Sequence, residues 1–396
     1  MSKSSCAFCT ETYSEDDLFY GMKESARICI SCVEKAHIIN ASTKPVNYAN
    51  KDSQQSCIKA VTPKAMIDYL NLHVVGQLEV KKRLSMAVYS HIIRVRADDS
   101  KASNLPKSNV FLVGDTGTGK TLMLQKLSEF LSIPLVIIDS TTLTQSGYQG
   151  EDVNSFVKQL LIKADGDVEL AEKGIVFIDE VDKIASKSSQ GTLDVSGRSV
   201  QQSFLKMVEG RDVEVSTKDI PNIEASKTII NTEKMLFVAG GAFDGMEDIT
   251  KPSNTIGFSV GGVERNANQI SIEDKLKKYG MIPEFLGRFP IKLKLESLTV
   301  EDMANILKHV NGGILSAYKA LFDEIGIELS VDNSVIEKIA TKSHKIGLGA
   351  RGIQTVLQPV LDDLLFEVSD EISEENVGGA RIIYDKNTDS ITGSFK

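Results

Sequence analysis

No apolar run in these 396 residues approaches the roughly 20 needed to cross a bilayer, so the sequence predicts no spanning helix. The N-terminal stretch MSKSSCAFC lacks the apolar core of a secretory leader. The expectation is a cytoplasmic protein with no membrane partner. Positive charge is also short: 45 Lys and Arg stand against 54 Asp and Glu, for a net charge of −9. That balance argues against a chain-wide nucleic-acid surface. Cysteine is scarce, and four of the five lie in the first 32 residues. In a reducing compartment such a cluster points to metal rather than to disulfides. There is no internal repeat and no low-complexity block.

What is present is ordinary for a soluble globular chain, with 41% hydrophobic and 25% charged residues. At roughly 150 residues per domain, the length predicts two or three domains. The early cysteines read CAFC and CISC with 19 residues between the pairs. Each CxxC turn places two thiolates on one side of a metal, so Cys6, Cys9, Cys29 and Cys32 predict a closed, structural tetrahedral Zn2+ site. The plainer readings are two disulfides or unrelated thiols. About 40 residues bury too little core to fold alone, and a metal supplies the missing free energy. The predicted organisation is a zinc-binding domain over 1–40, a polar linker over 41–60, a large domain over 61–297 and a small domain over 298–396.

The large domain alternates short apolar strands with helical segments. NVFLV, IPLVIID, GIVFID and KMLFVAG predict an α/β fold with a parallel sheet covered by helices, followed by IKLKLESL. From Val300 to about Asp370 the apolar spacing is mainly helical, and the tail RIIYDKNTDSITGSF reads as a hairpin with its turn at Asp385–Asp389.

GDTGTGKT spans Gly114, Asp115, Thr116, Gly117, Thr118, Gly119, Lys120 and Thr121. It fits GxxxxGK[ST], follows a strand and opens a helix, which is the context a phosphate loop requires. Its backbone N–H groups close around phosphates at a helix N-terminus. Lys120 reaches the β- and γ-phosphates of ATP, and Thr121 holds Mg2+. IVFIDE ends an apolar strand in two carboxylates: Asp179 for Mg2+ and Glu180 as general base for the attacking water. Charge developing on the γ-phosphoryl group also calls for a cation. Arg288 in PEFLGRFP and Arg351 in GLGARG are the candidates, and the bland alternative for either is a surface salt bridge. One more stretch stands out. TQSGYQGED sets the lone aromatic Tyr148 between two glycines in a polar loop, where it contributes little to any core.

Taken in order, the CxxC pairs, VVGQLEVKKRLSMAVYSH, GDTGTGKT, DSTTLTQSGYQGEDV, GIVFIDEVDKI, DVSGRSVQQSFLKMVEG, LFVAGGAF, NTIGF, IPEFLGRFP and GARG resemble the ClpX family, AAA+ ATPases that unfold proteins for the ClpP peptidase. The resemblance runs from Cys6 to about Phe366. It implies a P-loop AAA+ large domain, a small lid domain and a homo-hexameric ring with ATP between subunits. Asp179 and Glu180 become the Walker B pair, Arg288 a finger reaching a neighbour's ATP, and Arg351 a second sensor. Val75, within Val74–Gly76, lies near the adenine. Tyr148 lines the axial channel and grips the translocating chain, with Gly147 and Gly150 letting its loop swing. Ile256, Gly257 and Phe258 form the loop that plugs clefts on the peptidase ring. The zinc module dimerises and receives protein substrates or adaptors.

The chain departs from the family at several points. Asp115 stands where proline is usual, Gln149 where valine is usual, and Leu193 where arginine is usual. The family's basic entrance loop is not recognisable in RDVEVSTKDIPNIEASKT. These differences fall mostly on substrate-facing positions and point to a different choice of clients. Two other classes fit less of the sequence. One is a remodelling ATPase that works without a peptidase. The other is a nucleic-acid-associated AAA+ motor, which the acidic balance opposes. No nucleophile–base pair marks a protease site of the chain's own.

Overall fold

The computed structural model describes residues 3–5, 12–14, 18–20, 27–29, 62–96, 105–142, 151–186, 195–216, 227–247, 270–310, 313–371, 379–385 and 390–395. The chain divides into two compact units: Met1–Ala60 with Glu129–Ser132, and Val61–Ser128 with Ile133–Lys396. In the first, β1 (Lys3–Ser5) pairs antiparallel with β2 (Thr12–Ser14), and β3 (Leu18–Tyr20) with β4 (Arg27–Cys29).

The second unit opens with α1 (Pro63–Asn71). Thr62 caps it by accepting the Ala65 N–H, and Pro63 sits in the first turn, where a missing N–H costs nothing. Then come α2 (Leu78–Arg96), β5 (Val110–Val113), α3 (Lys120–Leu131), β6 (Leu135–Asp139), α4 (Glu151–Lys163), α5 (Val168–Glu172) and β7 (Ile175–Asp179). A 3₁₀ turn (Val181–Ile184) leads to α6 (Val195–Glu209), the strands β8 (Asp212–Ser216) and β9 (Lys227–Asn231), and β10 (Leu236–Gly241). After α7 (Ile272–Tyr279) and α8 (Pro283–Gly287), β11 (Ile291–Lys294) completes the sheet.

The five strands of that sheet run in the order β11-β5-β10-β7-β6, all parallel. Central strands β5 and β10 are buried along their whole length, as expected of a sheet flanked by helices. Phe111 anchors the core and meets Phe289 and Phe285 edge to face, at 5.8 and 6.5 Å between ring centroids. Each such buried ring contributes roughly 1.5–3 kcal/mol by burial. Because the strands are parallel, every strand-to-helix turn leaves from one edge. The register sets Asp139 opposite Asp179 there.

The remaining residues build a separate core around Phe322, Ile339 and Leu357. Its elements are α9 (Val300–His309), α10 (Ile314–Glu324), β12 (Glu328–Val331), α11 (Asn333–Ile346), α12 (Ala350–Glu371), β13 (Gly379–Asp385) and β14 (Ser390–Phe395). Thr299 and Asp302 form a reciprocal capping box at the start of α9. The tail hairpin forms as the sequence predicts, β13 against β14, and residues 386–389 at its turn lie outside the described residues. The helical reading of this region misses β12, which pairs parallel with β13. Four residues between two helices are too few to display an alternation. None of the described helices is long and apolar enough to cross a membrane.

Candidate functional site

The phosphate-loop candidate leaves β5 and turns into α3. The loop is closed largely by its own backbone. Asp115 O accepts from Thr118 Oγ1 at 2.7 Å and from Lys120 Nζ at 3.0 Å, and Lys120 Nζ also donates to Gly114 O. Gly117 and Gly119 hold φ of 78° and 99°, which side-chain-bearing residues rarely adopt. Since α3 begins at Lys120, the N–H groups of its first turn lack intrahelical acceptors and face the loop. Burial holds the Lys120 ammonium below its ordinary pKa; the carboxylates of Asp179, Asp182 and Asp115 oppose that shift, and Arg351 adds to it.

Two strands over, beyond β10, β7 delivers Asp179. Thr121 Oγ1 donates to Asp179 Oδ2 at 3.2 Å, which joins the two sequence motifs directly. Asp179 Oδ1 accepts the Glu180 N–H at 2.9 Å. Glu180 sits at φ 58°, ψ 30°, in left-handed backbone that costs a non-glycine residue on the order of 1–3 kcal/mol. Buried Ser140 holds the turn in place: its N–H donates to Asp179 O at 3.1 Å and its Oγ to Glu180 O at 2.8 Å. A carboxylate and a hydroxyl are hard oxygen donors that suit Mg2+ shared with phosphate. A lysine at a glycine-rich helix N-terminus suits the phosphates themselves. The residues present therefore fit a magnesium nucleotide.

Two residues here escape a motif reading. Asp182 is buried, accepts the Ala242 N–H at 3.2 Å and lies within electrostatic reach of Lys120. Its only sequence signal is the second aspartate in IDEVD. Ser140 follows β6 directly, and a serine after a strand carries no signal of its own.

Asp115 supplies backbone oxygen to the loop, and its side chain also has a partner. Asp115 Oδ2 accepts from Ser297 Oγ. Ser297 belongs to the connection between β11 and α9. Gln77 grips the same connection twice, donating to Glu296 O at 2.7 Å and accepting from Glu296 N at 3.0 Å. Val74 packs beside the loop, since a Cβ built on Gly119 would lie 3.6 Å from Val74 Cγ1. Val75, next in the chain, is half-buried.

The start of α12 also meets the loop. Ala350 N donates to Gly117 O at 3.1 Å. A Cβ on Gly117 would stand 2.3 Å from Leu348 O, and one on Gly349 2.6 Å from Thr116 O. Both positions therefore require glycine. Arg351 is exposed and close enough for its charge to act on Lys120.

Arg288 lies elsewhere, at the end of α8. Its guanidinium pairs with Glu209 at 2.5 Å and is about half exposed. Tyr148, Gln149, Leu193, Ile256, Gly257, Phe258, Cys6, Cys9 and Cys32 lie outside the described residues, and of Cys29 only the strand backbone is described. Of the stretch RDVEVSTKDIPNIEASKT, residues 212–216 form β8 and 227–228 begin β9, the two strands pairing antiparallel with Asp212 opposite Asn231, and 217–226 lie outside the described residues.

Comparison with known proteins agrees with this geometry. The family model for an AAA domain (Cdc48 subfamily) matches residues 105–292, and that for the C-terminal, D2-small domain of ClpB protein matches residues 298–382. The chain is 37% identical over 376 residues to the ATP-dependent Clp protease ATP-binding subunit ClpX of Borrelia duttonii, covering 92% of this chain and 86% of that protein. It is 38% identical over 387 residues to the same subunit of Azotobacter vinelandii, with 92% and 86% covered. For Bacteroides thetaiotaomicron the figures are 36% over 388 residues, with 94% and 93% covered.

Proposed function

The chain belongs to the ClpX family of AAA+ ATPases, and on that premise we propose that it hydrolyses ATP to unfold proteins and thread them into a ClpP-type peptidase. The observation that carries the ATPase reading is the meeting of Lys120, Thr121 and Asp179 at one edge of the sheet. Gly114–Thr121 hold the nucleotide phosphates, with Lys120 neutralising them and Thr121 and Asp179 holding Mg2+. Val75 borders the base. Bound Mg2+–ATP supplies the phosphoryl group whose transfer to water drives the cycle. The Glu180 carboxylate accepts a proton from that water.

In this reading Arg288 acts on the ATP of a neighbouring subunit in a hexameric ring, and Arg351 links the small domain to nucleotide state. Direct contact of Gly349 and Ala350 with the phosphate loop supports that link. Tyr148 grips the moving chain, Ile256–Phe258 dock the peptidase, and Cys6, Cys9, Cys29 and Cys32 hold Zn2+ in a module that receives substrates or adaptors. The protein works in the cytoplasm.

The test uses purified protein, ATP and a tagged, stably folded fluorescent substrate, with and without a ClpP-type peptidase. Loss of fluorescence that becomes irreversible only with the peptidase present is the expected result. Unfolding that the peptidase never makes irreversible identifies a stand-alone remodeller, and no loss under either condition overturns the unfoldase reading.

A further inference from the structure

Arg288 can act outside its own chain only if its guanidinium is held in place without being used up. Its backbone is fixed. Buried Asn109 donates from Nδ2 to Arg288 O at 3.0 Å and accepts the Phe237 N–H at 3.1 Å, so it ties the arginine to the central strand β10. The ion-pair partner is fixed as well. Glu209 is the last residue of α6, and three contacts pin that helix end. Lys107 Nζ donates to Val208 O at 2.9 Å, and Thr232 Oγ1 donates to Met207 O at 3.0 Å. Gly210, at φ 108°, lies so close to Glu233 that an added Cβ would stand 2.9 Å from its Cα.

A carboxylate at a helix C-terminus sits at the negative end of the helix dipole and is disfavoured there. Its placement calls for neighbouring cations, and two are present. Arg288 pairs with it at 2.5 Å, and Lys107 binds the carbonyl just before it. Burial pushes the Lys107 ammonium down to about 8; the charges of Arg94 and Arg288 add to that shift and Glu233 opposes it, so Lys107 and Arg288 lie within electrostatic reach of each other. Arg288 Nη2 donates to Glu209 Oε1, and the arginine side chain remains about half exposed. The clasp therefore orients the group while leaving part of it open to solvent.

We propose that Glu209 is a positioning residue for ATP hydrolysis, presenting the Arg288 guanidinium to the nucleotide of the adjoining subunit. This rests on the reading of Arg288 as a trans-acting cation. A long, flexible side chain that must find the phosphoryl oxygens unaided loses rate through misplacement, not through weaker substrate binding.

The test compares Glu209→Gln, Glu209→Asp, Arg288→Lys and the double variant Glu209→Gln/Arg288→Lys in the full chain. It measures ATPase kcat and KM, affinity for a fluorescent ATP analogue, and assembly by sedimentation velocity. Glu209→Gln is expected to lower kcat about tenfold, a modest share of what misplacement of a reacting group can cost, with KM, nucleotide affinity and assembly within about twofold. Glu209→Asp, which keeps the charge, recovers part of the loss and remains informative if the Gln variant fails to assemble. In the Arg288→Lys background the Gln substitution has little further effect. Wild-type kcat in both Glu209 variants, or a full additional loss in the Arg288→Lys background, overturns the positioning role. An unchanged kcat in Arg288→Lys instead overturns the role of Arg288 itself.

Discussion

Lys120 and Arg288 are both cations assigned to phosphate, yet the protein treats them in opposite ways. Lys120 is 8% exposed, and its ammonium is bound by carbonyls of its own loop. Arg288 is about half exposed and rests on one carboxylate oxygen. Around Lys120 the groups proposed to hold a nucleotide come from one chain: β5, β7, the Glu296–Ser297 connection and the start of α12. Around Arg288 the structure provides a fixed root and an open tip. On the proposed roles, the difference teaches that the phosphate-binding groups are gathered within one chain, whereas the second cation is presented outward.

The strongest way to break this comparison is Arg288→Ala. It should lower kcat by about 10³–10⁵, the range for such a cation in phosphoryl transfer, while ATP affinity stays the same. A comparable loss of affinity, measured with a fluorescent nucleotide, would place Arg288 in its own chain's site. Next, Glu180→Gln should cost about 10²–10⁴ in kcat as a lost general base and retain ATP binding; brisk single-turnover hydrolysis would remove Glu180 from that role. Lys120→Ala should act on the other side of the divide. It weakens nucleotide binding by about 10- to 150-fold, the equivalent of one charge-assisted contact of 1.5–3 kcal/mol; unchanged Kd by calorimetry would contradict the phosphate assignment. The smallest effect belongs to Ser297→Ala. It removes one exposed hydrogen bond to Asp115, worth about 0.5–1.5 kcal/mol, and should shift KM for ATP by a fewfold at most with kcat intact.

The self-contained half was also the more legible. The phosphate loop, IVFIDE and the strands around them are short local patterns, and their order predicts the parallel sheet. Contacts between residues distant in sequence leave no such trace. Nothing in GDTGTGKT announces that Asp115 reaches Ser297, and nothing in SFLKMVEG announces that Glu209 meets Arg288. Both pairs exist because β11 returns beside β5 and α6 ends near α8, which are consequences of topology. The same limit hid β12, whose strand character comes from pairing with β13 some fifty residues later. Asp115 is instructive in another way. Read alone, its charge is out of place in a phosphate loop, but the fold supplies a hydroxyl to receive it.

The left-handed backbone at Glu180 carries a consequence for anyone selecting robust variants of this protein. Glycine adopts that conformation without strain, so Glu180→Gly should make the folded chain harder to melt while losing ATP turnover to the same extent as Glu180→Gln. Heat resistance and work output pull in opposite directions at this one residue. A library screened for thermal survival alone would enrich inert molecules.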